Sequence, residues 1–293
     1  MSSSDNTTPA PASPAAPAGG NGLFNREVTR HRLTARRATV VEVSHPVEHM
    51  IRVTVTGPDF GDFVSTGPGD HAKVFFPDAA TGLLHAPTAL GADVDGVTPP
   101  DGPTIARDYT PLNQRVDADG RTLIDLDFLT HPNPGTASAW AEKAAPGDEL
   151  VIAGPRGSRS VPHAAPRVLL VVDGTALPAA SRYLKELPAS TPIEVVADIE
   201  GDLSWVSEYL RLQGGRKVTV HPGGEELVDA VTGVGVDDQT FVFAAGEASR
   251  LVNLRRHLRR ELGFPPEQLA FSGYWKRGVA DFDHHTPIDP DED

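Results

Sequence analysis

Near residue 165 the sequence changes its hydrophobic period, and this change constrains the fold more than any other feature. Beyond it, short apolar runs alternate with segments of helical period: RVLLVVD at 167–173, PIEVVAD at 192–198, KVTVH at 217–221, TFVFAAG at 240–246 and QLAFSG at 268–273. Helices are predicted between them near 176–187, 203–212, 224–231 and 247–262. Strands that read as continuous apolar runs are buried on both faces, and parallel neighbours need crossover connections, so the pattern predicts a parallel sheet flanked by helices. Open sheets of this kind bind ligands outside the carboxyl ends of their strands, where strand order reverses. Upstream the signals are strand-like, with period-two stretches. Runs at 37–44, 49–57, 71–77, 107–112, 122–130 and 149–154 are rich in β-branched and aromatic residues and are punctuated by Gly, Pro and Asp. They predict six strands of an antiparallel barrel or sandwich, read here as a barrel. One short helix interrupts it, GTASAWAEKA at 135–144, capped by Thr136 or Ser138 and ended by Pro146-Gly147-Asp148.

The expected organisation is a disordered arm at 1–22, a barrel domain at 23–163, a nucleotide-binding type of α/β domain at 164–280 and a frayed acidic tail at 281–293. The arm is nearly all Ser, Pro, Ala, Gly, Asn and Thr, a composition that cannot offset the entropy of ordering. Composition then removes whole classes of function. With no cysteine there are no disulfides, thiolate zinc sites, iron–sulfur ligands or cysteine nucleophiles. Electron transfer in this chain requires a bound organic cofactor. A net charge of −14 repels phosphate backbones and anionic lipid, so neither nucleic acid nor a membrane surface is an expected partner. The first 22 residues lack a basic and an apolar region of the export type, and no apolar run is long enough to span a bilayer. The expectation is a cytoplasmic protein, monomeric or weakly dimeric.

A barrel followed by a parallel α/β domain is the layout of flavin reductases of the ferredoxin-reductase type, which directs attention to the late barrel strands. Arg107-Asp108-Tyr109-Thr110 offers a cation for a pyrophosphate, an aromatic face for a ring system and a hydroxyl for a ring nitrogen. Strand alternation puts Arg107 and Tyr109 on one face and Thr110 on the other. The same tetrapeptide also describes an Arg–Tyr surface pair. Downstream, His131-Pro-Asn-Pro-Gly135 leads into Thr136-Ala137-Ser138-Ala-Trp140, where free backbone N–H groups and small residues suit an anion. His131 equally reads as a strand end, and Trp140 as core.

Taken in order, these motifs resemble the siderophore-interacting protein family, the flavin-containing ferric-siderophore reductases. The resemblance runs over roughly 30–280. It includes Asp70-His71-Ala72-Lys73 with the following FFP, Arg107-x-Tyr109-Thr110, the 127–141 segment and GPRGS at 154–158. In the second domain it continues with Asp173-x-Thr175-Ala-Leu-Pro178-Ala, Ala245-Gly246-Glu247-Ala248 and the Ser272–Gly278 stretch with Trp275, Lys276 and Arg277. It implies bound FAD, NADH or NADPH as electron donor, ferredoxin as donor in one branch, and a ferric siderophore as substrate. The implied cofactor contacts are Arg107, Tyr109, Thr110, His131, Gly135, Thr136, Ala137, Ser138, Asp173, Thr175, Pro178, Gly246, Glu247 and Trp275. Lys73, Lys276 and Arg277 are implied to face an anionic chelate on the open side of the flavin, and no residue is assigned as a protein acid or base.

Two departures stand out. Leu112 replaces an arginine that the family often carries, with Arg115 nearest, and Val172 replaces the glycine that leads the family's motif at the first strand of the second domain. Arg255, Arg256, Arg259 and Arg260 share one helix and read either as a solvated face or as a partner for a 2′-phosphate or an acidic donor. Asp198 reads as a ribose acceptor or a strand-end turn residue. His284-His285 with Asp281 and Asp283 has metal-ligand chemistry but no second set of ligands in sequence, so no metal is assigned. The alternative functions are a flavin reductase supplying electrons to a biosynthetic pathway, and a flavin-containing module that binds ferric chelates without nicotinamide turnover.

Overall fold

Pro111 has no backbone N–H to give to a ladder, and there the strand expected over 107–112 stops and a new one starts. The computed structural model describes residues 22–289 and 291. Its first half contains β1 (Ala35–Val47), β2 (Met50–Thr56), β3 (Ala72–Phe76), β4 (Ile105–Tyr109), β5 (Leu112–Val116), β6 (Thr122–Leu129) and β7 (Glu149–Ala153). They pair antiparallel in the order β4-β3-β7-β1-β2-β6-β5. The expected six-stranded barrel is therefore corrected to a seven-stranded antiparallel sheet. The two edge strands, β4 and β5, are separated in sequence only by Thr110 and Pro111, so the sheet curls until its edges meet at that corner. No ladder joins them among the described residues. Alternation turns Val53, Val74, Ile124, Phe128 and Ile152 inward, and α1 (Thr136–Ala141) adds Ala137 and Ala141 to the same core.

The second half follows the predicted alternation. β8 (Arg167–Val172), α2 (Leu177–Glu186), β9 (Ile193–Ala197), α3 (Ser204–Gly214), β10 (Thr219–Pro222), α4 (Leu227–Val234), β11 (Thr240–Glu247), α5 (Ala248–Arg256) and β12 (Leu269–Trp275) succeed one another. The five strands are parallel in the order β10-β9-β8-β11-β12. Both faces are covered: Val168, Leu170 and Val172 pack with α2 and α3, while Leu169 and Val171 pack with α4 and α5. Strand order reverses between β8 and β11, and the carboxyl ends of the strands at such a reversal are where open sheets of this kind bind ligands.

The halves share a core, because Met50 and Leu129 of the first join the cluster around α2 and α3. Polar contacts reinforce that seam. Tyr209 donates to Asp127 at 2.5 Å, and Arg52 holds the same carboxylate at 2.7 and 2.6 Å. Burial and the Asp127 charge push the Tyr209 phenol up. Arg182 of α2 donates to the Ser65 hydroxyl at 2.7 Å and to the Pro111 carbonyl at 3.2 Å. Among the described residues no helix is long and apolar enough to cross a membrane.

Of the arm expected at 1–22, residues 1–21 lie outside the described residues, and Gly22 opens a short turn that buries Phe24. The tail corrects its expectation. Its described residues, 281–289 and 291, fold back instead of fraying: Asp289 is buried, with Arg256 at 2.8 and 2.7 Å and Arg260 at 3.0 Å, and Ile288 packs on the α4/α5 core. The reason is that part of the arginine-rich helix face, read as solvated, gives the acidic segment an opposite charge to dock on.

Candidate functional site

The β3/β4 register sets the geometry of the first cluster. Ala72 faces Tyr109, Lys73 faces Asp108, and Val74 faces Arg107. Ala72 and Val74 are core residues, so Arg107 and Tyr109 leave the sheet on its inner face while Lys73 and Asp108 leave it on the outer face. The Tyr109 ring lies 4.3 Å from Phe128 and 6.2 Å from Phe76, and the same two rings hold Trp140 of α1 at 5.9 and 5.2 Å. This aromatic group brings the motif strand and the Gly135 turn together. Burial pushes the Tyr109 phenol up, so it stays neutral. Thr110 is buried at the corner. The Arg107 guanidinium is half-exposed and meets the carboxylate of Asp281, itself on the surface, which shows that an anion reaches it.

At the start of α1, Gly135 is exposed in an extended conformation, and a Cβ there would touch nothing. The Ala137 methyl is in the core and the Ser138 hydroxyl donates to the Leu129 carbonyl at 3.1 Å. The turn therefore offers backbone N–H groups rather than these side chains, a refinement of the sequence expectation. His131 and Thr136 are exposed beside it. An exposed guanidinium, an aromatic face and an open backbone turn on one side of the sheet fit a flavin dinucleotide.

The second cluster occupies the reversal point of the parallel sheet. Asp173 follows β8, is buried, and accepts five hydrogen bonds. Its Oδ1 takes Thr175 N at 2.8 Å, Thr175 Oγ1 at 2.6 Å and Ala176 N at 3.3 Å. Its Oδ2 takes Glu247 N at 3.0 Å and Trp275 Nε1 at 2.8 Å. One carboxylate thus ties the ends of β8, β11 and β12. Burial pushes the Asp173 pKa up against the pull of these donors. Gly246 has φ +146°, and a Cβ would lie 2.6 Å from the Asp173 carboxylate, so close approach requires glycine. Glu247 caps α5 through Arg250 N at 2.9 Å and accepts Arg277 N at 3.0 Å. Pro178 is buried in the first turn of α2.

Leu129 links the clusters. A Cβ at Gly174 would lie 2.7 Å from the Leu129 side chain, so the end of β6 presses on the turn after Asp173. Lys276 and Arg277 are exposed beyond β12, in the stretch that five residues after Lys276 delivers Asp281 to Arg107. Lys73 is half-exposed and bound to Asp108 at 3.0 Å, on the opposite sheet face from Arg107. Asp198 is held by Arg250 at 3.0 and 2.7 Å, which occupies the carboxylate read as a ribose acceptor. Arg115 meets Asp125 at 2.9 Å and turns away from the motif strand.

In the sequence Asp108 and His71 stand out only within motifs and His284 is weighed without being assigned a role, so sequence reasoning missed that the three come together. Asp108 pairs with both Lys73 and His284, the latter at 3.2 Å, and the His71 ring lies 4.2 Å from that of His284. Burial opposes ionisation of Asp108, yet the His284 and Lys73 contacts outweigh it and hold the carboxyl well below its usual range. The signal was available in part, since alternation through Arg107-x-Tyr109 sends the middle residue to the other face.

Two family profiles match this chain: a siderophore-interacting FAD-binding domain over 39–159 and a siderophore-interacting protein domain over 165–278. The chain is similar to the NADPH-dependent ferric-chelate reductase of Escherichia coli K12, at 32% identity over 84% of this chain and 94% of that protein. It is 28% identical to the ferric vibriobactin reductase ViuB of Vibrio cholerae, over 87% of this chain and 94% of that one. The crystal structure of a siderophore utilization protein from T. fusca superposes with a TM-score of 0.71 at 32% identity, covering 89% of this chain and all of the other. A motif strand and a carboxylate-tied sheet edge, both inside the matched regions of a chain aligned with relatives over nearly their whole length, place it: this protein belongs to the siderophore-interacting protein family.

Proposed function

We propose that the chain is an FAD-dependent reductase that passes electrons from NADPH or NADH to Fe(III) held by a siderophore, releasing Fe(II). The observation that supports the reading is the Leu129–Gly174 contact: the end of β6, whose Phe128 packs on Tyr109 and whose Leu129 carbonyl accepts from Ser138, presses on the turn after Asp173. FAD, when bound, supplies the capacity to accept a hydride and release electrons singly. Arg107 and the backbone N–H groups at 135–138 hold its pyrophosphate, Tyr109 gives it a neutral aromatic surface and Thr110 offers a hydroxyl. Both oxygens of Asp173 are saturated, so this residue positions Trp275 and the β11 end rather than touching the nicotinamide. Thr175, Gly246 and Glu247 frame the crevice for that donor. Lys73, Lys276 and Arg277 counter the acidic field for an anionic chelate. Hard oxygen donors hold Fe(II) less tightly than Fe(III), so reduction itself frees the metal, and no protein acid or base is required.

The test is anaerobic stopped-flow mixing of the purified protein with NADPH or NADH and then with a ferric siderophore, after the cofactor has been released by heat and identified. FAD, bleaching by nicotinamide and recovery on adding the chelate are expected. Bleaching by reduced ferredoxin alone reassigns the donor, and chelate binding without bleaching by either donor makes the protein a binding module.

A further inference from the structure

The folded tail supplies what the sequence lacked for a metal centre. Asp283, His284 and His285 present one carboxylate oxygen and two imidazole nitrogens, all within 4.8 Å of one another. The His71 ring is 4.2 Å from His284 and 6.3 Å from His285, so a third imidazole arrives from the start of β3. His284 Nδ1 faces Asp108 Oδ2 at 3.2 Å, and a carboxylate partner there fixes the proton on Nδ1 and leaves Nε2 with its lone pair. That Nε2 is buried and has no hydrogen-bond partner. A backed imidazole with an unused nitrogen among other ligand groups is the arrangement of a carboxylate–histidine–metal site. His284 and His285 also line a cleft of about 200 Å³ with Arg255, Ser272 and Thr286, so these two imidazoles open onto space for an ion's waters. The nearby cations are engaged, Lys73 by Asp108, Arg107 by Asp281, and Arg255 of the same cleft over the Phe271 ring at 5.8 Å, whereas Asp283 makes no ion pair among the described residues.

We propose that His284, His285, Asp283 and His71 form a binding site for a divalent first-row transition metal, with Asp108 orienting His284. Mixed imidazole and carboxylate ligands suit Fe(II), Co(II) and Zn(II) and discriminate against Mg(II) and Ca(II). The site takes Fe(II) as it leaves the chelate. That choice of cargo rests on the proposed reductase function, while the metal site itself does not.

The test uses the full chain without a histidine tag. Co(II) is titrated anaerobically and followed by its visible absorption and by calorimetry, and Fe(II) is then used to displace it. One equivalent per chain is expected, with nitrogen-ligand absorption. The His284→Ala/His285→Ala variant should lose binding by at least about 100-fold, and Asp108→Asn by about 10- to 100-fold, the usual cost of losing such an orienting partner. Unchanged melting temperature and flavin content would show that these variants fold. The site is overturned if wild type binds Co(II) no more tightly than the double variant, or with an all-oxygen spectrum. The cargo is overturned if excess Fe(II) fails to displace Co(II). Ferric-chelate reduction is assayed separately on the same protein, so failure of the reductase reading is told apart from failure of the site.

Discussion

Arg107 pairs its backbone with β3 at the edge of the first sheet while its half-exposed guanidinium reaches the surface carboxylate of Asp281. A charge-assisted bond to a phosphate is worth ~1.5–3 kcal/mol, so Arg107→Ala should weaken flavin binding by about one to two orders of magnitude. Equilibrium dialysis of the apoprotein against FAD measures this, and unchanged affinity would remove Arg107 from the site. Asp173 makes the contrasting case, a residue whose importance lies in what it holds. Asp173→Asn replaces one acceptor oxygen by an amide that faces either the Thr175 side or the Glu247 and Trp275 donors. Buried donors left unpaired cost ~1–3 kcal/mol, and in a protein of this size the melting temperature should fall by about 3–10 °C. Differential scanning calorimetry decides it. An unshifted transition would mean that the β8, β11 and β12 ends are held by their ladders alone.

At the scale of elements, the parallel sheet was legible because its central strands, β8 and β11, are apolar runs long enough to be read alone. Val168 to Val172 shows neither gap nor polar interruption, and burial on both faces requires that. The first sheet was legible except at its corner, where Thr110-Pro111 lies inside a run that still looks extended and the polar strand Leu112–Val116 carries no alternation of its own. The tail was illegible for a different reason. Its residues have too little apolar surface to order themselves, and the partners that order it, Arg256 and Arg260, lie 33 and 29 residues before Asp289 in the sequence. The site split in the same way: local motifs exposed Arg107 and Tyr109, while the grouping of His71, Asp108 and His284 exists only after the tail has docked. That docking has a pH signature. Arg256, helped by the Asp291 N–H and Arg260, holds the Asp289 carboxyl down at about 2 against the opposing effect of burial. A folded-state value below the ordinary one near ~3.9 means that the contribution is complete above the unfolded value and is lost as pH falls toward about 2. Hydrogen exchange at Phe282–Asp289 should therefore be slow at pH 5 to 7, relative to intrinsic rates, and should lose its protection below about pH 3. Protection that is already absent at pH 7 would show that the tail is not docked in solution.

The whole molecule sets a field that its site must reverse. A net charge of −14 repels an anionic chelate at a distance, and the screening length of ~10 Å at 0.1 M salt makes that repulsion weakest in concentrated salt. Lys276 is exposed, and Lys73 is half-exposed and already engaged with Asp108. Removing either cation at such solvated positions should cost ~0.6–1.4 kcal/mol, about three- to tenfold in KM for an anionic ferric siderophore. The two substitutions differ in what they leave behind. Lys276→Ala removes one positive charge, whereas Lys73→Ala also strips Asp108 of a counterion and uncovers a carboxylate, so its effect should be the larger and the more strongly reduced by salt. Glu at either position should be worse than Ala, and a neutral hydroxamate complex should be the least affected. Steady-state kinetics with anionic and neutral chelates at low and high salt separate these outcomes. If both chelate classes suffer equally, or if salt makes no difference, the lysines serve the fold or the cofactor, and the chelate is met by other residues. If Lys73→Ala proves harmless and Lys276→Ala severe, the outer face of β3 is remote from the chelate, and the approach runs past Trp275 and Arg277 instead.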